Sequence, residues 1–171
     1  PALDCVVRAR GASEPAPHGP MLSYGDSVKL KHCTTLHWLH SNGLAYPRGS
    51  ELGQVSGFDG SSNHSIWIVK SAHGDESEPK GVVAEGATIR LQHFLTKKNL
   101  HSDAEYESPI AKQQEVSTNG DDGVGNEGDN WRVWFDKGKL LLEHALTGKV
   151  LRSNIHKYPM WGQYQQEVST N

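Results

Sequence analysis

Three stretches of this chain share one arrangement of apolar and polar positions. Val28, Leu30 and His32 alternate with Lys29 and Lys31, and Ile89, Leu91 and His93 alternate with Arg90 and Gln92. A third run, Leu140-Leu141-Leu142-Glu143-His144, ends on the same residue type. A period of two with one polar face predicts a half-buried antiparallel strand, and no window sustains the 3.6-residue period of a packed helix. Counted from His32, His93 and His144, a Thr follows at +3, a Leu at +7 and a Ser at +9 in all three cases. Further on stand Gln54-Val55-Ser56, Gln114-Glu115-Val116-Ser117 and Gln166-Glu167-Val168-Ser169, and the stretch Gln113 to Asn119 recurs unchanged as Gln165 to Asn171. Trp67-Ile68-Val69 and Trp131-Arg132-Val133 close the first two units. One unit is therefore written three times.

Each unit reads as four short strands. The alternating strand leads through the His-x-x-Thr turn to a returning Leu-(His/Arg)-Ser strand; a long loop with Tyr and Pro precedes the Gln-Val-Ser strand, and a Gly/Asp/Asn hairpin leads to the Trp strand. Three such units predict an all-β chain, a β-trefoil with a six-stranded barrel capped by three hairpins. The repeats are expected at about 21–72, 85–136 and 137–171, behind an N-terminal arm over 1–20 that ends in Pro15-Ala16-Pro17. The histidines are 61 and 51 residues apart, and the difference falls mostly in the polar linker from Ser71 to Glu85. The third unit has no closing Trp strand, since only three residues follow Val168. An open barrel would expose an unpaired strand edge. Because the termini of a trefoil are neighbours, Asp4-Cys5-Val6-Val7-Arg8 is expected in or beside the vacant slot.

The Leu-x-His-x-x-Thr-x-x-x-Leu-His-Ser strings, the Gln-(Glu)-Val-Ser strand and the closing Trp resemble the MIR domain over residues 21 to 171. Within that family, Gly86-Ala87-Thr88-Ile89-Arg90-Leu91-Gln92-His93 and Asn119-Gly120-Asp121-Asp122 look most like the stromal cell-derived factor 2-like proteins. That resemblance implies a non-catalytic protein of the endoplasmic reticulum lumen or secretory pathway. It would work beside a luminal chaperone and its J-domain co-chaperone on unfolded polypeptides or glycans, in protein quality control. Trp38-Leu39-His40-Ser41 with Tyr46-Pro47-Arg48-Gly49-Ser50, and Lys157-Tyr158-Pro159-Met160-Trp161-Gly162, are similar instead to the MIR domain of protein O-mannosyltransferases. There the domain would recruit acceptor protein or mannosylated product. Arg152 departs from the family's His in the third copy.

Composition narrows the picture further. The 171 residues carry 17 Lys+Arg against 20 Asp+Glu, a net charge of −3, which argues against a nucleic-acid binder. No apolar run approaches the roughly 20 residues of a membrane helix. The chain opens at Pro1 without an apolar leader and has no luminal retention tail, as expected of a processed or excised piece. Cys5 and Cys33 permit one disulfide, or two separate thiols. Asn63-His64-Ser65 fits the N-glycosylation pattern.

No nucleophilic Ser motif, phosphate-binding Gly loop or Cys-His zinc pattern is present, so no catalysis, cofactor or metal is expected. Asp121 to Asp129 lacks the alternate-position oxygens of a calcium loop and reads as an acidic hairpin turn. His32, His93 and His144 occupy inward positions and read as structural. His40 and His101 follow an inward Leu, which turns them toward the long loops as candidate ligand contacts. Three loops carry Tyr46 with Arg48, Tyr106 with Glu107, and Tyr158 with Trp161 and Tyr164. Aromatics beside hydrogen-bonding groups suit stacking on a sugar face or anchoring a peptide, or they cover the barrel mouth. Trp161, in a polar loop with Gly162 and Gln163, is the leading anchor.

Overall fold

The computed structural model describes the backbone of residues 5–9 and, in full, residues 21–171 except Ser61. Among the described residues thirteen strands follow one another: β1 (Cys5–Ala9), β2 (Ser27–His32), β3 (Trp38–His40), β4 (Gly53–Gln54), β5 (Ser56–Phe58), β6 (Trp67–Ser71), β7 (Thr88–His93), β8 (Asn99–Glu107), β9 (Gln114–Asn119), β10 (Trp131–Asp136), β11 (Lys139–His144), β12 (Leu151–Lys157) and β13 (Gln166–Thr170). Six of them close a ring in which β1 pairs β2, β2 pairs β6, β6 pairs β7, β7 pairs β10, β10 pairs β11 and β11 returns to β1. The hairpins β3–β5, β8–β9 and β12–β13 cap it, joined to one another through β13–β5, β13–β9 and β4–β9. This is the β-trefoil that the repeats predict, and among the described residues the only helices are short 3₁₀ turns.

The N-terminal strand completes the barrel. In the first two repeats the closing strand begins opposite two residues: Trp67 pairs with Val28 and His93, and Trp131 pairs with Ile89 and His144. Cys5 pairs with Leu140 and His32, which are the same two positions in the remaining repeats. β1 thus lies in register where the third closing strand belongs, and Val6 and Val7 face Lys31 and Leu30 as expected. The arm read over 1–20 is corrected accordingly, because residues 5–9 belong to the barrel. The physical reason is the open edge: one strand there satisfies the free backbone groups of both β2 and β11. The Cys5 side chain lies outside the described residues, and with it the question of a Cys5–Cys33 disulfide.

Alternation along the strands builds the core. Val28 and Leu30, Ile89 and Leu91, Leu140 and Leu142 are all buried, and the intervening residues are not. Leu39, Leu100 and Leu151 from the returning strands, and Val55, Val116 and Val168 from the Gln-Val-Ser strands, close over them. Each such side chain contributes about 1.5–3 kcal/mol by leaving water.

The histidines that end the alternating strands share one environment. Each Nδ1 lies 2.9 Å from the hydroxyl of the Thr three residues on: His32 with Thr35, His93 with Thr96, His144 with Thr147. His93 Nε2 lies 3.0 Å from His64 O and His144 Nε2 lies 3.1 Å from Gly128 O. A carbonyl only accepts, so Nε2 carries the proton and Nδ1 accepts from the turn, which assigns the neutral tautomer. His93 and His144 are fully buried, whereas His32 is half-buried, short of the fully inward place expected for it. One residue past the Thr of each turn the backbone is left-handed, at Leu36 (φ 59°), Lys97 (φ 61°) and Gly148 (φ 67°). Leu36 is 59% exposed, so replacing it gives up little packing there. Leu36→Gly is therefore expected to raise the unfolding free energy in urea by up to about 1 kcal/mol.

Candidate functional site

The three long loops gather at the capped end of the barrel. Loop one spans residues 41–52, loop two 108–113 and loop three 158–165. Tyr46 and Tyr158 point into the axis: they are 2% and 1% exposed, and their hydroxyls lie 2.9 Å apart. Tyr46 donates to Val116 O at 2.9 Å and Tyr158 to Val55 O at 3.1 Å, which ties all three repeats together. Burial pushes both phenols well above their ordinary pKa. Both residues are corrected from ligand candidates to core, because they are buried and each hydroxyl donates to a backbone carbonyl of another repeat.

Tyr106 is not their counterpart. Tyr46 and Tyr158 stand 14 residues beyond His32 and His144, but Tyr106 stands 13 beyond His93. The register of β8 against β9 shifts between Ser102 and Glu107, so the equivalent place in repeat two falls further along the chain. The backbone bonds Tyr46 N–H to Leu52 O and Tyr158 N–H to Gln165 O are matched in repeat two by Ser108 N–H to Gln113 O. Ser108 is fully buried and Tyr106 is half-buried.

His40 and His101 are also corrected. They are 4% and 5% exposed, each covered by the 3₁₀ turn before the closing strand of its repeat. His40 Nδ1 is 3.1 Å from Ser65 Oγ, and His101 Nδ1 is 2.7 Å from Asp129 Oδ1. Asp129 also accepts from Asn99 Nδ2 and from the Asn126 N–H, which closes the turn over 126–129. No group of three or more His, Cys, Asp or Glu among the described residues converges as a metal site. Burial, then the nearby His64 and His93, lower His40 to about 4; burial also lowers His93 and His144. Groups depressed below the unfolded value near 6.5 stabilise the fold fully above that pH and progressively less as pH falls. The thermal midpoint is expected to decline between pH 6.5 and 4, and a flat profile across that window would contradict the buried neutral histidines.

Sequence reasoning missed the carboxylates that hold the loops. Glu167, fully buried, accepts the N–H groups of Ile110 and Ala111 at 2.8 Å each and Asn154 Nδ2 at 3.1 Å, which pins loop two. Glu115, 2% exposed, accepts from Ser50 Oγ in loop one, while its Oε2 has no partner. The matching residue in repeat one is Gln54, which donates to Ala45 O in loop one. The recurrence of Gln-Glu-Val-Ser was the available signal.

Loop three is held by aromatic packing instead. The Trp161 ring sits 5.1 Å from Tyr158 and 6.3 Å from Tyr46, half-buried over the tyrosine pair. A Cβ on Gly162 would lie 2.3 Å from that of Tyr158, so only glycine lets the turn press this close. Gln163 and Tyr164 are both left-handed, at φ 58° and 56°, a backbone costing about 1–3 kcal/mol per residue that the surrounding turn must sustain. The result presents Met160, 75% exposed, and Tyr164, 63% exposed, on either side of Trp161. Arg48 is exposed on loop one, and no described contact joins it to Trp161.

The MIR domain family matches residues 54–171. A stromal cell-derived factor 2-like protein of Arabidopsis thaliana is 37% identical over 174 residues, covering 96% of this chain and 79% of that protein. The crystal structure of the SDF2-like protein from the same plant superposes with a TM-score of 0.81 at 39% identity, over 89% of this chain and 88% of that one. The S. cerevisiae protein O-mannosyltransferase Pmt1-Pmt2 complex bound to the sugar donor gives 0.79 at 28% identity, over 94% of this chain and 25% of that chain.

Proposed function

The chain belongs to the MIR-domain family, and from that premise we propose that it is a non-catalytic, SDF2-like recognition module of the secretory pathway. Its loop-three face would hold unfolded polypeptide for a luminal chaperone and its J-domain partner. The observation that carries this reading is the exposed pair Met160 and Tyr164 beside half-buried Trp161 on a strained turn. A flexible thioether and a flat aromatic beside a fixed indole adapt to varied apolar side chains, as a client-binding surface requires. Strain maintained at an exposed apolar site supports a binding role over a packing one. The likeness to the mannosyltransferase complex favours a second reading, in which the same face recruits the acceptor polypeptide of such an enzyme.

The test is the double variant Met160→Ser/Tyr164→Ser. Its unfolding free energy is expected to stay within about 0.5 kcal/mol of wild type, because both side chains are exposed. Affinity for a reduced, unfolded reporter polypeptide is expected to fall about tenfold or more. Unchanged affinity for that reporter would remove loop three as the recognition face.

A further inference from the structure

The triplet Asn63-His64-Ser65 forms a 3₁₀ turn immediately before β6, and its two chemically relevant side chains are treated oppositely by the fold. Asn63 is exposed. Ser65 is fully buried, and its hydroxyl lies 3.1 Å from His40 Nδ1, a ring that is itself 4% exposed. The turn is fastened from several sides. Ser65 N–H donates to Ser62 O and Ile66 N–H to Asn63 O, both at 3.2 Å. His64 O accepts from Ser41 N–H at 3.1 Å and from His93 Nε2 at 3.0 Å.

We propose that Asn63 is an N-glycan acceptor that can be used only before repeat one has closed, and that folding ends the opportunity by burying Ser65 against His40. In the transfer, Asn63 Nδ2 bonds to the anomeric carbon of a lipid-pyrophosphate-linked oligosaccharide. The bond from that carbon to the pyrophosphate oxygen breaks, the lipid pyrophosphate leaves, and one amide proton passes to a base of the transferase. An amide nitrogen is a weak nucleophile, and the acceptor triplet must present its hydroxyl to the transferase together with the asparagine. In the folded protein the hydroxyl is inaccessible, so reaction must wait for local opening. Once attached, the glycan is compatible with the native fold, since Asn63 faces solvent and the bonds that fasten the turn do not use its side chain.

Occurrence of this modification in the cell rests on the secretory reading above. The test supplies the route itself, so that the two can fail separately. The full chain behind a cleavable secretory leader, made in eukaryotic secretory cells, is expected to carry one glycan removable by peptide N-glycosidase. Asn63→Gln and Ser65→Ala are expected to abolish it, and Ser65→Thr to keep it. The purified unglycosylated chain is then offered to an oligosaccharyltransferase with its lipid-linked donor. Folded wild type is expected to be modified at least about tenfold more slowly than the same chain unfolded by Trp131→Ala, reflecting the need for opening. No glycan on the translocated chain would overturn the site. Equal rates for folded and unfolded chains would overturn the folding-dependent closure.

Discussion

Glu167→Gln is expected to lower the unfolding free energy by about 3 kcal/mol, whereas Glu115→Gln is expected to leave stability at neutral pH unchanged or improved. The two glutamates occupy the same place in an identical seven-residue stretch. Both oxygens of Glu167 accept backbone N–H groups of loop two, and one also accepts from Asn154. An amide can offer one acceptor oxygen only, so its NH2 group would confront a buried N–H donor. The loss combines a charge-assisted bond with an orphaned backbone group. Glu115 keeps only its bond from Ser50 and leaves Oε2 without a partner. Burial raises its carboxyl above the usual range. A group raised in this way stabilises most below its unfolded pKa and loses that contribution as pH rises through the folded value. A neutral Gln removes this liability while its carbonyl still accepts from Ser50. Urea unfolding of both variants at pH 7 and pH 5 checks the contrast. Equal losses in the two would show that the clamps are not distinct.

Trp131→Ala is expected to cost about 3–5 kcal/mol, enough to unfold a domain of ordinary stability. The indole is fully buried and packs on His144 with ring centroids 5.2 Å apart. Its Nε1–H donates to Leu100 O at 2.9 Å, so it also fastens a barrel strand to a cap hairpin. Trp131→Phe separates the two roles. It retains most of the volume but leaves the Leu100 carbonyl unpaired, at an expected cost of about 1–3 kcal/mol beyond the small loss of apolar area. Trp134, on the outer face of the same strand and 37% exposed, serves as the control, and Trp134→Ala is expected to cost under about 1 kcal/mol. Circular dichroism with thermal unfolding ranks the three. A Trp131→Ala protein that melts like wild type would contradict the packing described here.

The barrel was readable from the sequence because period two with a polar face has one solution on a curved sheet, and its recurrence at fixed offsets has one symmetry. The open slot beside β2 and β11 was readable for the same reason, since a missing strand in a repeated pattern leaves countable unpaired backbone. The candidate site was far less readable. Tyr46, Tyr158, His40 and His101 look like binding residues in a linear sequence because each is polar and lies in or beside a loop. All four are buried because partners from distant segments satisfy them: Val116 and Val55 for the tyrosines, Ser65 and Asp129 for the histidines. Trp161 was picked out by its polar neighbours, and the structure half covers it, leaving Met160 and Tyr164 as the more exposed groups.

By itself the sequence determined the repeated order of strands, the threefold axis, the aliphatic interior and the His-x-x-Thr turns. All of these follow from local periodicity and short-range hydrogen bonding, which every copy repeats. Only the tertiary structure decided which copy of a repeated residue does what. Gln113 to Asn119 and Gln165 to Asn171 are the same seven letters, yet one glutamate clamps loop two with both oxygens and the other holds loop one with a single bond. The difference lies in the neighbours that the chain's closure around its axis brings from the adjoining repeats, which a segment's own residues do not specify.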